Sequence, residues 1–288
     1  MALSLCFGVS FFLSTYFDEI KDKISFPHIK CIFSIICWFS LVFSVSQVIF
    51  LTMSMEDIPF VELSFSKIIE FLQQGDYDIL FTIRLLSVLS ILFLILRLPE
   101  SKVSWFASAC LAGLSLMTLV WFGHAASNDF GLGWLHLVAD VVHILAASVW
   151  GGSLAALYWF LLKRKDASVI ESILKKFSFT GYIIVTLLTA TGLINSYFLI
   201  GTNLKNYIHP SAYVLLIYLK VIFFALMLVL AACNHFVLTP YLQRGLAGDK
   251  EAHALRRLKV SIGLEYACYV VIIGIVALVG GQGFSPDM

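Results

Sequence analysis

The stretch WLHLVADVVHILAASVWGGSLAALYWFLL, Trp134 to Leu162, decides the fold. It holds no Lys, Arg or Pro and one acid, Asp140. A helix rising 1.5 Å per residue crosses a hydrocarbon core about 30 Å thick in about 20 residues, so the stretch reads as a transmembrane helix. Working outward, comparable segments run from Ala2 to Phe17, Cys31 to Met55, Ile79 to Leu98, Val103 to Phe122, Phe177 to Ile200, Ala212 to Leu238 and Arg257 to Gly280, which makes eight spans. With 60% apolar and 13% charged residues, the chain carries more hydrocarbon surface than a soluble domain of this length buries. The expected fold is an all-α polytopic helix bundle, one transmembrane domain over residues 1–288. The first segment is short, but it has neither the basic start nor the small-residue cleavage site of a secretory signal and is read as a span.

Cytoplasmic loops retain Lys and Arg during insertion. Of the 19 such residues, fifteen lie in loops one, three, five and seven, two (Lys67 and Lys205) lie in the even loops, and Arg84 and Lys220 lie inside spans. The odd loops are therefore assigned to the cytoplasm. Both termini and the segments Glu56 to Asp78, Gly123 to Gly133 and Gly201 to Ser211 are assigned outside. The first of these outer segments is acidic and is expected to carry an interfacial helix from Val61 to Leu72.

A net charge of +1 and the absence of a Gly-rich phosphate loop exclude nucleic acid and nucleotide as expected partners. No nucleophile stands at a recognisable spacing from a base, and there is no HExxH pattern, so no enzymatic activity is expected. The cysteines at 6, 31, 37, 110, 233 and 268 form no CxxC pair and read as small core residues, with soft-metal binding as the alternative.

Function should reside in the ionisable groups at membrane depth, each of which costs at least ~2.5–3.5 kcal/mol at a helix centre unless paired or hydrated. They are Arg84, His136, Asp140, His143, Lys220 and Glu265; His235 lies near the cytoplasmic end of its span. His136, Asp140 and His143 stand at i, i+4 and i+7, so one helix face presents imidazole, carboxylate, imidazole from the outside inward. Imidazole nitrogens are the commonest ligands of late transition metals, and a nearby carboxylate can ligate or fix a ring tautomer. This suggests an outward-opening metal site. His124 and His209 add imidazoles on the same side, and Met53 and Met55 add an MxM pair suited to Cu(I). The plain alternative is that His136 faces water, His143 packs, and Asp140 pairs with Arg84 or Lys220. Gly151 and Gly152 would admit a closely packed neighbour or a hinge.

These residues resemble the copper resistance protein D family of bacterial inner-membrane proteins. The resemblance is strongest over 123–280. It rests on Gly123-His124-Ala125, Trp134-Leu135-His136, Asp140, His143-Ile144-Leu145-Ala146-Ala147 and Trp150-Gly151-Gly152. Further matches are Thr191-Gly192-Leu193-Ile194-Asn195, Leu219-Lys220, Asn234, and Leu255-Arg256-Arg257 leading to Glu265. In the first half Thr82 and Arg84 match, while the first span is abbreviated. The resemblance implies copper movement across the inner membrane together with a periplasmic copper-binding protein of the copper resistance C type. On that reading Asp140 and Glu265 are way-stations, and Arg84 and Lys220 pair with the empty carboxylates. Two other classes stay open: a b-type cytochrome with haem held through His143 and a facing imidazole, and a membrane scaffold without metal.

Overall fold

The helices of this protein are apolar all round, so their burial is decided by side-chain size and not by an apolar stripe. Small and hydroxyl-bearing residues such as Ser10, Ser40, Ser108, Ser115 and Ser148 face inward, and Trp38, Phe50, Phe93, Phe106 and Val229 face outward. This is the arrangement expected in lipid, where helix association relies on close packing. Several inward hydroxyls are satisfied within their own turn: Ser44 donates to Ser40 O (2.7 Å), Thr52 to Val48 O (2.9 Å) and Ser148 to Ile144 O (2.6 Å).

The computed structural model describes residues 1–23, 25–74, 77–121, 133–163, 167–200, 211–245 and 251–281, the side chains of 199, 200 and 281 excepted. In chain order the helices are α1 (Ala2–Thr15), α2 (Phe17–Ile20), α3 (Phe26–Met55), α4 (Phe65–Gln73), α5 (Tyr77–Arg97), α6 (Lys102–Val120), α7 (Gly133–Lys163), α8 (Ala167–Ile200), α9 (Ala212–Cys233), α10 (Thr239–Gly245) and α11 (Glu251–Gly281). A 3-10 turn (Phe60–Glu62) precedes α4, and a π-helical turn (Asn234–Leu238) joins α9 to α10. Serine caps start several of them: Ser64 accepts from Lys67 N, Ser101 from Ser104 N and Ser211 from Val214 N.

Among the described residues seven helices are long and apolar enough to cross a membrane, and they coincide with seven of the eight expected spans. The eighth, α1, has 14 residues and is continued by α2 after Tyr16. The expected boundaries are too tight at the ends assigned to the cytoplasm: α8 starts at Ala167 rather than Phe177, and α11 at Glu251 rather than Arg257. Lys, Arg and Glu favour helix almost as well as Leu, so the backbone continues beyond the edge of the apolar run. The interfacial helix expected over Val61–Leu72 is instead the 3-10 turn followed by α4, because Ser64 caps a new start. It is anchored by Phe71 and Leu72 packed on Val48, with Phe71 stacked on Tyr77. The cysteines divide: Cys6, Cys37 and Cys268 are buried, whereas Cys31, Cys110 and Cys233 are exposed and are not core residues.

α1 lies at the centre, packed on α6 and α7, while α7 pairs with α8 and α11, and α11 with α9. The crossing of α1 and α7 is a backbone contact. A Cβ on Gly8 would lie 1.9 Å from Ser148 O and 2.7 Å from Gly152 Cα. On another side of α7, a Cβ on Gly151 would lie 2.0 Å from Cζ of Tyr269 on α11. The Gly151-Gly152 pair thus admits two neighbours at once, which accounts for it by packing. The expected outcome of Gly8→Ala is a loss of about 1–3 kcal/mol from overpacking, read as a lower unfolding temperature in detergent. No side-chain deletion should restore it, because its obstacle is backbone. Gly151→Ala should be destabilising too, but restored in part by Tyr269→Ala, and equal behaviour of the two glycines would contradict this packing.

Candidate metal site between two helices

The imidazole–carboxylate–imidazole face of α7 meets a matching face of α8. The pairs are His143 with Thr191, Asp140 with Asn195, and His136 with Phe198. As the position on α7 falls by seven residues, from 143 to 136, its partner on α8 rises by seven, from 191 to 198, which is the register of two antiparallel helices. On α8 the partners stand at i, i+4 and i+7, so they too share one face.

Each contact has a chemical consequence. His143 Nδ1 lies 2.9 Å from Thr191 Oγ1, and that hydroxyl donates its one proton to Leu187 O at 2.6 Å. Thr191 therefore accepts from His143, so Nδ1 carries the ring proton and Nε2 keeps the lone pair that a metal needs. A Cβ on Gly192 would sit 3.7 Å from Cε1 of His143, so the next residue of α8 leaves the ring its space. Asn195 Nδ2 donates to Asp140 Oδ1 at 2.5 Å. The other carboxylate oxygen, Oδ2, lies 3.9 Å from His136 Nε2, and the Asp140 side chain is 34% exposed. His136 is buried, with its ring stacked on Phe198 at a 4.7 Å centroid distance and 9° between planes; it does not face water. Asp140 and His143 are both half-buried.

Lys220 of α9 lies within electrostatic range of Asp140 and His143, and Tyr213 within range of Asp140. Lys220 lies eight residues into α9, roughly 12 Å by helical rise, and Asp140 and His143 lie roughly 10 and 15 Å into α7.

The remaining expected residues are dispersed. Arg84 is buried in α5, where Nε donates to Thr118 Oγ1 (2.9 Å) and Nη1 to Gln47 Oε1 (2.7 Å), tying α3, α5 and α6. Among the described residues neither Asp140 nor Glu265 is its ion-pair partner, which corrects the expected pairing: neutral oxygens on α3 and α6 take up Nε and Nη1 of the guanidinium where it stands. Met53 and Met55 end α3, which packs against α1, α4 and α5 and not chiefly against α7 or α8. His124 and His209 lie outside the described residues, as do most of the outer segments around them. Among the described residues no three His, Cys, Asp or Glu side chains converge as a ready-made metal cluster.

Glu265 sits deeper and is buried. Trp150 Nε1 donates to its Oε1 and Asn234 Nδ2 to its Oε2, both at 2.8 Å. Its carboxylate is held by neutral donors from α7 and the π-turn, and not by Lys220 as the expected pairing required. The π-turn has a local cause: Pro240 has no N–H to close an α-helical bond, and Thr239 N and Oγ1 both reach back to Asn234 O. Reading the sequence missed Thr191, Asn195, Phe198 and Trp150 as site residues. A signal for the first two was present: polar side chains at i and i+4 in an otherwise apolar span.

A haem held between imidazoles needs a second histidine on a facing helix. The α8 residue that faces His143 is Thr191.

Comparison with known proteins bears on this geometry. The family model described as Copper resistance protein D matches residues 171–279, and the one described as Copper resistance protein D-like, N-terminal domain, matches 1–137. Thr191, Asn195, Lys220, Asn234 and Glu265 fall within the first match and His136 within the second, while Asp140 and His143 lie between the two. Copper resistance protein D of Pseudomonas syringae pv. tomato is 30% identical over 198 residues, which cover 67% of this chain and 62% of that relative. Inner membrane protein YebZ of Escherichia coli (strain K12) is 26% identical over 195 residues, covering 66% of this chain and 64% of that protein. The chain thus spans somewhat less than two thirds of the length of the curated relatives it matches. No solved structure matches it. With both halves matched and seven membrane-spanning helices in place, the chain belongs to the copper resistance protein D family and is a multi-pass protein of the inner membrane.

Proposed function

We propose that this protein moves copper ions across the inner membrane, taking them at the His136–Asp140–His143 face of α7, which opens to the periplasm. The observation that carries the reading is the α7–α8 register. It points one imidazole's lone pair away from its hydroxyl anchor and leaves a part-exposed carboxylate beside a second imidazole. The family and the names of its relatives supply the ion. Copper is the cargo here, and the protein acts as a carrier and not as a catalyst.

Orientation follows the charge pattern, with both termini on the periplasmic side. A periplasmic copper-binding protein of the copper resistance C type is the proposed donor or acceptor at the outer end. Lys220 is the proposed counter-charge: when the site is empty its ammonium offsets the Asp140 carboxylate, and an arriving cation takes over that role. Glu265 is the proposed next station, deeper along α7.

The test is copper binding to the purified protein in detergent. The wild type is expected to bind copper stoichiometrically, and the His136→Ala, His143→Ala double variant to lose the outer equivalent. Full retention of copper in that variant would sink the proposal. Thr191→Val keeps both imidazoles but removes the oxygen that fixes the His143 tautomer, and should weaken binding about 10–100-fold. A separate measurement addresses movement: Glu265→Gln should slow cellular copper accumulation or loss at matched protein levels, and an unchanged rate would remove Glu265 from the path.

A further inference from the structure

Helix α8 packs on α7, and α9 packs on α11, so neither α8 nor α9 relies on the other for its contacts. Near the ends assigned to the cytoplasm two hydrogen bonds join α8 to the segment that follows α9. Ser178 Oγ, whose proton goes to Leu174 O (2.9 Å), takes up Nδ1 of His235 on the π-turn at 2.8 Å. One side-chain bond lies further toward the start of α8, where Glu171 accepts from Nε2 of Gln243 on α10 at 3.0 Å.

Two adjoining cavities lie in the cleft between these elements. The first, of about 210 Å³, has Leu154, Leu157, Phe177, Val185 and Leu228 on its walls. Two polar members of its lining are already hydrogen-bonded, Glu265 to Trp150 and Asn234, and Thr239 Oγ1 to Asn234 O. Most of what it offers an occupant is therefore hydrocarbon. Tyr182 and Phe236 also line it and are exposed, so it opens sideways to the surroundings of the bundle. A cavity of about 150 Å³ lined by aliphatic and aromatic side chains stays dry and takes up benzene, so a space of this size and lining suits an alkyl chain. The second cavity, of about 280 Å³, continues the first past Ser178, His235, Phe236 and Thr239 and reaches Lys175 and Gln243. Its chemistry is different. Lys175 is ion-paired with Glu171, but an ammonium carries three N–H donors; Gln243 Nε2 carries two and gives one to Glu171. Donors remain on both side chains.

We propose that the two cavities are one site for a phospholipid of the cytoplasmic leaflet, with an acyl chain in the first and the phosphate received by Lys175 and Gln243 in the second. The ligand is amphiphilic because the site is: hydrocarbon toward the middle of the bundle, N–H donors toward its edge. Lys175 stands beside the apolar run of α8, at the end where the Lys and Arg excess lies, and this is the level at which headgroup phosphates meet basic side chains. Which leaflet that is follows from the orientation proposed above. Gly181, on the wall of the first cavity, gives the chain its room. A Cβ there would meet nothing within 4 Å, whereas the space in front of Gly8, Gly151 and Gly152 is taken by protein. An acyl chain in this place supplies the packing between α8 and α9 that their own side chains do not make, and such packing is what holds helices together in lipid.

The experiment is native mass spectrometry of the full-length protein, delipidated in detergent and titrated with phosphatidylethanolamine, with a diacylglycerol or with an isoprenoid quinone. Wild type is compared with Gly181→Phe and Lys175→Ala. Wild type is expected to take up one phospholipid at concentrations where the diacylglycerol and the quinone do not bind. Gly181→Phe puts a ring in the place of the chain and should abolish that adduct. Its unfolding temperature without lipid should stay at or above the wild-type value, which separates loss of the site from a folding defect; Ala232→Leu narrows the same cavity from α9 and takes its place if Gly181→Phe does not fold. Lys175→Ala should weaken phospholipid uptake about fivefold, the share of one cation at a headgroup. The proposal is overturned if the folded cavity variant keeps the adduct, if the diacylglycerol or the quinone binds as well as the phospholipid, or if wild type binds no lipid.

Discussion

A polar side chain inside a membrane protein has to be satisfied by the protein itself, because neither lipid nor bulk water is at hand to do it. Much of this architecture follows from how that requirement is met. On α8, Thr191 and Asn195 take up His143 and Asp140, and Ser178 takes up His235. Each hydroxyl can serve because its own proton is already bonded to the backbone one turn earlier. A helix that looks like ordinary lipid-facing hydrocarbon is therefore the template that orients imidazoles on two other elements. Ring tautomers are settled in the same act, and with them the nitrogen that is left to meet a ligand.

Close approach of the backbones is the second requirement, and α7 meets it with two successive glycines used in different directions. Gly152 touches Gly8 of the central helix, and Gly151 receives the ring of Tyr269. One residue earlier on α7, Trp150 reaches Glu265 on α11. The packing joint and the deepest carboxylate are consequently parts of one junction between α7 and α11. A polar contact made this way is rigid, since moving Trp150 means moving the α1–α7 crossing. The π-turn offers the contrasting case: there the ladder of backbone bonds is already interrupted at Pro240, and Asn234 and His235 stand on that interruption.

The spans themselves were legible in the sequence because hydropathy over about 20 residues is a strong signal that needs no partner. Their ends were not, since helix propensity continues through Lys, Arg and Glu after the apolar run has stopped, as in Ala167–Lys176 and Glu251–Arg256. The face bearing His136, Asp140 and His143 was legible too, because helical periodicity alone puts i, i+4 and i+7 together. Pairing between helices was a different matter. Arg84 was expected to neutralise a carboxylate and is instead bonded to Gln47 and Thr118, because attraction between opposite charges says nothing about which helices are neighbours.

From sequence alone came the membrane class, the charge bias that orients the chain, and the one-helix constellation on α7, all properties carried by consecutive residues and a known helical repeat. Only the tertiary structure decided that Thr191 faces His143, that neutral donors hold Glu265, and that His235 lines a cavity beside Ser178. The physical reason is that helices which are apolar all round carry little record of which face meets which neighbour. That choice is made by glycine contacts and by the few hydrogen bonds that must close inside the bundle.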